Sequence, residues 1–233
     1  MQIPFFKRWH PALALRYLPI VRLINRNESV LEVGSGSLGI GPYLRRGLTG
    51  VDVDFSGPEW PDMKRVEASA TNLPQADDSF DVVINLDMLE HLAPRDRQKA
   101  IEEMVRVAKK KIIIGVPVGE LAARQDELVD KLYEKIWGRR HKFLKEQTEY
   151  GLPTEAEMED MIYSMVKRRG KTVKMKVIPN ENLKMRWWLM KGWASKNFWV
   201  NVFFRKILLL AIPILRLFNH EPVYRKIYYC RLI

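Results

Sequence analysis

Residues 30–39, VLEVGSGSLG, run from an unbroken apolar stretch straight into three glycines, and few local structures accept that pattern. The apolar half suits a strand buried on both faces. Gly34, Gly36 and Gly39 allow a tight turn and place backbone N–H groups at the start of a helix, with no Cβ to hold a polar ligand away. The segment predicts a strand, a turn and a helix, with something polar docked at the turn.

The rest of the chain repeats that logic. Short apolar or β-branched runs ending at Gly, Asp or Pro at 29–34, 49–53, 65–68, 80–86 and 111–117 read as strands. Helix-period segments lie between them, clearest at 94–109, where Ile101, Met104, Val105 and Ala108 share a face. Such alternation predicts an α/β fold with a mostly parallel sheet and helices on both faces. Residues 119–149 are charged and helical in character, and Thr154 with Glu157 has capping-box spacing after Pro153. Strands near 172–178 and 224–232 would finish the sheet, with a Trp-rich helical segment between them. We divide the single domain, 1–233, into an N-terminal helix (1–28), a core (29–118), a helical insert or lid (119–170) and C-terminal strands carrying the Trp-rich segment (171–233).

Charge is unevenly placed. Lys184–Ile233 holds ten Lys and Arg against one acid, Glu221, so +9 of the net charge of +11 sits there. The same stretch has Trp187, Trp188, Trp193 and Trp199 and the nine-residue run ILLLAIPIL at 207–215, too short for a span of roughly 20 residues. Two readings stand for 184–218: a peripheral membrane contact, with rings at headgroup depth and cations on anionic lipid, or a helical cap packed on the sheet. Arg16 and Arg22 interrupt the first apolar stretch, which excludes a signal-peptide pattern and leaves an amphipathic helix with Pro11 in its first turn. The lone Cys230 cannot form an intrachain disulfide and fits a reducing, cytoplasmic setting. No nucleic-acid module is visible, and the basic residues are interleaved with apolar bulk, which argues against nucleic acid as a partner.

Gly34, Gly36 and Gly39 spell GxGxxG, with Asp52 or Asp54 near the distance at which a carboxylate grips ribose hydroxyls. By that motif alone a nicotinamide enzyme is an equal reading. Wider context separates the two. Glu32 before the glycines, GVDVD at 50–54, the LP, SFDVV and LEHL of 71–92, in this order and spacing, resemble the class I S-adenosylmethionine-dependent methyltransferases, specifically the methyltransferase type 11 family, over residues 29–117. The resemblance implies a Rossmann-like sheet of seven strands, the last antiparallel, and S-adenosylmethionine as cofactor. It implies that Gly34, Ser35 and Gly36 approach the methionine part with Glu32 ordering the loop. Asp52 and the adjacent Val53 would serve the ribose, Ser69 and Ala70 the adenine, and Asn85 and Leu86 the methionine end. A serine stands at 69 where the family commonly has a carboxylate.

Methyl transfer from a sulfonium needs alignment in a dry pocket, and a hydroxyl acceptor also benefits from a base. Asp87, Glu90 and His91 follow the fourth strand at the ligand-binding edge and are the catalytic candidates. Their D-x-x-E-H order also resembles the E-x-x-E-H metal site of some O-methyltransferases. The reading adopted has no metal, with LEH anchoring a helix. In the insert, His141 and Tyr150 are the candidate acceptor contacts, in a basic stretch with Arg139, Arg140 and Lys145. The function expected is methyl transfer to a small-molecule, glycolipid or polysaccharide-precursor acceptor, in the cytoplasm or peripherally at the inner membrane face. The alternatives are a non-catalytic interaction module of the same fold and an NAD-dependent oxidoreductase.

Overall fold

The structure is a computed structural model and describes residues 11–233. The helix expected over 1–28 is seen as α1 (Pro11–Val21), and its first ten residues lie outside the described range. Seven strands follow: β1 (Val30–Val33), β2 (Leu48–Asp52), β3 (Met63–Glu67), β4 (Phe80–Leu86), β5 (Ala108–Pro117), β6 (Val173–Asn182) and β7 (Val223–Leu232). They form one sheet in the order β3-β2-β1-β4-β5-β7-β6. β7 is antiparallel to both β5 and β6, while β1 to β5 pair in parallel. The expected strands are all present.

A doubly wound dinucleotide sheet runs 3-2-1-4-5-6. Here β7 is inserted antiparallel beside β5, and its register sets Arg225 opposite Pro117 on one side and Asn180 on the other. At the edge, β6 exposes Lys174 and Lys176, which discourages pairing with another chain. Cys230 is fully buried inside β7, level with Ile112 and Met175.

Between β1 and β2 lies the short α2 (Gly41–Leu44), and between β4 and β5 lies α3 (Pro94–Val107). α3 stops short of the expected 109 because Ala108 already pairs with Phe80 in the sheet. Four helices occupy the rest of the interval to the last strands: α4 (Gly119–Trp137), α5 (Lys142–Tyr150), α6 (Glu155–Arg168) and, after β6, α7 (Leu183–Ala194). α6 opens with the expected capping box: the Glu157 amide donates to the Thr154 hydroxyl at 3.2 Å, and the Thr154 amide donates to Glu157 Oε2 at 2.7 Å. The last helical stretch is broken: α8 (Phe198–Arg205), a 3₁₀ turn at Ile207–Ala211, α9 (Ile212–Leu215) and a second 3₁₀ turn at Arg216–Phe218.

Two apolar layers sandwich the sheet. On one face Ile101 and Met104 of α3 pack with Met158, Ile162 and Met165 of α6. The other face is covered by α1, α7 and the 207–215 stretch, through Leu15, Ile20, Leu189, Leu208 and Ile212. Within the expected 119–170 insert, α6 is thus part of the helical layer, and 119–153 is what remains to border the strand ends.

Candidate active site

β1 sits where strand order reverses, between β2 and β4, and ligands of open α/β sheets bind beyond the strand ends at such a point. A cavity of about 880 Å³ opens there. Gly34, Ser35, Gly36, Asp52, Val53, Ser69, Ala70 and Leu86 all line it.

The glycine turn is fixed by short-range bonds. Gly36 donates its amide to Asp52 Oδ2 at 2.6 Å, and Asp54 donates to Asp52 Oδ1 at 3.0 Å, leaving each carboxylate oxygen a further lone pair. Gly36 has φ +54°, and a Cβ there would meet nothing within 4 Å, so the turn presents bare backbone to open space. By contrast, a Cβ on Gly39 would strike Glu32 Oε2 at 2.1 Å. Glu32 lies buried beneath the turn and accepts the Ile40 amide at 2.6 Å. Burial pushes its carboxyl up to about 8, against the opposing effect of bonds from the Ile40 amide and the Tyr17 hydroxyl.

Two expected contacts sit differently. Asn85 is fully buried under the turn and is not part of the cavity wall; its Nδ2 donates to the Val33 carbonyl at 2.7 Å, tying β4 to β1. Ser69 lines the cavity, but its hydroxyl is engaged locally with Thr71 Oγ1 at 2.9 Å and the Thr71 amide at 3.2 Å.

Asp87, Glu90 and His91 do converge on the cavity, with distinct characters. Asp87 has φ +52°, an uncommon backbone for a non-glycine residue. It is gripped by Arg225 through Nε and Nη2, each at 2.5 Å, and by Arg16 Nη2 at 2.7 Å. Burial opposes its ionisation, but the Arg16 and Arg225 charges prevail and hold it below the usual carboxylate range. Asp87 is thus committed to two guanidinium partners. Glu90 is fully buried, and burial reinforced by the Asp87 charge pushes it well above the usual range. Its Oε2 has no hydrogen-bond partner. His91 Nδ1 lies 3.1 Å from Glu146 Oε2, and its Nε2 lies 4.0 Å from Glu90 Oε1. Burial lowers the imidazole's affinity for a proton, against the opposing charges of Glu146 and Asp87. With Nδ1–H donated to Glu146, Nε2 keeps a lone pair.

The insert closes over these residues. His141 and Tyr150 both line the cavity, at the start and end of α5. His141 packs edge-on against Trp193, centroids 5.1 Å apart, and Trp193 stacks on Tyr133 at 5.2 Å. Arg140 is committed to Asp130 at 2.5 Å rather than to the cavity. Arg97 fastens the insert, donating to the Leu89 and Leu92 carbonyls on one side and those of Tyr150 and Gly151 on the other.

Sequence reasoning missed the far wall. Arg16 and Tyr17 of α1, Glu181, Arg186 and Trp193 around α7, and Tyr224 and Arg225 of β7 all line the cavity. Arg186 bonds Asp126 at 2.6 Å and lies over the Tyr224 ring at 3.4 Å, while Tyr224 donates to the other Asp126 oxygen at 3.1 Å. Arg225 also bonds Glu181 at 3.1 Å. The guanidiniums of Arg16, Arg186 and Arg225 are thus balanced by Asp87, Asp126 and Glu181. Among the described residues, no three of His, Cys, Asp or Glu gather as metal ligands.

The antiparallel β7 beside β5, with an open glycine turn bridged to an acid at the end of β2, matches the Rossmann-like methyltransferase fold. Residues 31–114 match a family model described as "Methyltransferase domain", that of the methyltransferase type 11 family. No curated protein matches the sequence. Among solved structures, it is similar in fold to an S-adenosylmethionine-dependent methyltransferase from Thermotoga maritima, at TM-score 0.59 and 16% identity, covering 97% of this chain and 91% of the other. A methyltransferase from an antibiotic biosynthesis pathway of Anabaena variabilis gives 0.55 and 16%, covering 92% and 98%. Magnesium protoporphyrin IX methyltransferase from Synechocystis, solved with bound S-adenosylhomocysteine, gives 0.51 and 12%, covering 92% and 81%. The nicotinamide alternative falls with this result, and S-adenosylmethionine is the cofactor.

Proposed function

We propose that the chain transfers a methyl group by in-line displacement to an uncharged nucleophile, with His91 as the base. Bound at the glycine turn, S-adenosylmethionine supplies an electrophilic methyl on a sulfonium. Gly34, Ser35 and Gly36 would hold its methionine part with Leu86, Asp52 and Val53 its ribose, and Ala70 with the backbone at Ser69 its adenine. Glu32 and Asn85 act from beneath, by setting the turn. The observation that carries the reading is the His91–Glu146 pair on the cavity wall: a carboxylate 3.1 Å from Nδ1 orients the ring, and Nε2 lies 4.0 Å from Glu90, whose burial favours its neutral form. The balanced arginines and carboxylates favour a neutral reacting end on the acceptor.

A glycolipid or polysaccharide precursor fits this chamber better than a small free metabolite. His141, Trp193 and Phe143 offer ring faces suited to a sugar, and the helices that wall the chamber, α1 and α7, also carry the exposed apolar 198–218 stretch. Residues 119–153 act as the lid, and the protein works in the cytoplasm at the inner membrane face. The test is incubation with methyl-labelled S-adenosylmethionine and separate lipid and aqueous extracts. Label should enter the lipid extract, and His91→Gln should slow it by about 10²–10⁴-fold with cofactor affinity unchanged. Label confined to aqueous products would overturn the lipid-linked acceptor, and full activity in His91→Gln would overturn the base.

A further inference from the structure

The stretch after α7 exposes what a water-soluble surface normally covers. α8 reads FWVNVFFR, six of its eight residues apolar, yet none is buried. Beyond it Leu210 is 85% exposed, Leu217 77% and Ile214 62%. Leu208, Ile212 and Leu215, on the opposite side, pack into the core against α1. The whole of Phe198–Phe218 is therefore a 21-residue apolar element, longer than the nine-residue run that the sequence pattern singles out, with one side fastened to the domain and the other bare.

Charge says what belongs on the bare side. From Lys184 to His220 the chain has no acidic residue and seven Lys or Arg, of which Arg186 alone is buried on Asp126. Around the apolar side chains stand Lys196, Arg205, Lys206 and Arg216. Partial burial followed by repulsion from Arg205 lowers the proton affinity of Lys206, and burial with Arg22 does the same to Arg216, so like charges are gathered there. Exposed rings and leucines rimmed by crowded cations match an anionic bilayer surface, with apolar groups below the headgroups and cations among them.

We infer that Phe198–Phe218 is an in-plane membrane-docking element that sinks Trp199, Leu210, Ile214 and Leu217 into an anionic phospholipid leaflet. This deepens the proposed lipid-linked acceptor and rests on it only for the element's purpose. By length and hydropathy the stretch could also cross a bilayer. Its build opposes that. Arg205 and Lys206 fall in the middle, where each charge costs about 2.5–3.5 kcal/mol on insertion scales. The helix also breaks at Lys206 (φ −129°, ψ −56°), and Leu208, Ile212 and Leu215 would have to leave the core. The element stays attached because α7 and α8 meet closely: a Cβ on Gly192 would strike the Phe204 ring at 2.1 Å, and Trp188 packs on Phe204 at 4.5 Å.

The experiment is vesicle flotation of the full chain, with phosphatidylcholine alone and with added phosphatidylglycerol, beside titration with S-adenosylmethionine. Co-flotation with the anionic vesicles is expected, weakening as salt rises. The double change Leu210→Ser, Leu217→Ser should cut that partitioning by roughly tenfold or more with cofactor binding intact, since both side chains are exposed. No flotation with anionic vesicles, or equal flotation by the double variant, would overturn the inference. So would a dimer that this variant dissociates, since a second copy would then be the occupant. Protection of the stretch from proteases added to either side would mean a span and overturn it too. Loss of cofactor binding by the unaltered chain would instead sink the methyltransferase reading, independently of flotation.

Discussion

The two ends of the cavity are built in opposite ways. At the cofactor end, Asp52 reaches the Gly36 amide across 16 residues of sequence, and backbone amides do most of the work. At the other end, Arg225 reaches Asp87 across 138 residues, and ion pairs between side chains taken out of water dominate. The first design tolerates side-chain change except at a few backbone-facing positions; the second depends on every charge keeping its partner.

Arg225→Ala tests that contrast most severely. It leaves Asp87 and Glu181 facing each other with less compensation, and thermal or urea unfolding should show a loss of about 3–5 kcal/mol. Asp52→Ala should do the reverse, weakening S-adenosylmethionine by roughly 10–100-fold in a calorimetric titration, from about 1.5–3 kcal/mol of charge-assisted bonding, while the unfolding midpoint moves little. If Asp52→Ala unfolded the protein as readily as Arg225→Ala, the contrast would be lost.

A subtler probe is pH. Glu32 has its proton affinity raised to about 8 from 4.5, so between roughly pH 5 and 8 the folded protein holds a proton that the unfolded chain has released. Stability should therefore fall as pH rises through that window, by at most about 1.4 kcal/mol per pH unit from this group. Glu32→Gln, which still accepts from the Ile40 amide, should flatten the slope in unfolding curves measured across the range. An unchanged slope would mean that the carboxyl is ionised under the turn. The smallest effect is expected at the end of α4: Trp137 Nε1 donates to the Ala194 carbonyl at 2.9 Å, and Trp137→Phe should cost about 1 kcal/mol in the same unfolding assay.

The same contrast explains what could be read in advance. Strand and helix order, the glycine turn and the Thr154 cap are local patterns with short periods, and the structure shows them in place. Asp87, Glu90 and His91 were traceable because they follow a recognisable strand. Arg16, Arg186 and Arg225 carried no local signal: each looks like one more cation in a basic chain until the sheet register sets Arg225 opposite Asn180 and α1 lies across Asp87. The buried position of Asn85 was equally hidden, because strand alternation does not tell a residue under the turn from one facing the cavity.

Cys230 gives the chain a built-in clock. The thiol is fully buried in β7, between β5 and β6, and burial pushes its proton affinity up to about 12. A thiolate-seeking reagent in neutral solution can reach it only when β7 parts from its neighbours, so the labelling rate counts those openings. Because β7 also carries Tyr224 and Arg225, the same rate times how often that wall of the cavity comes apart and reassembles.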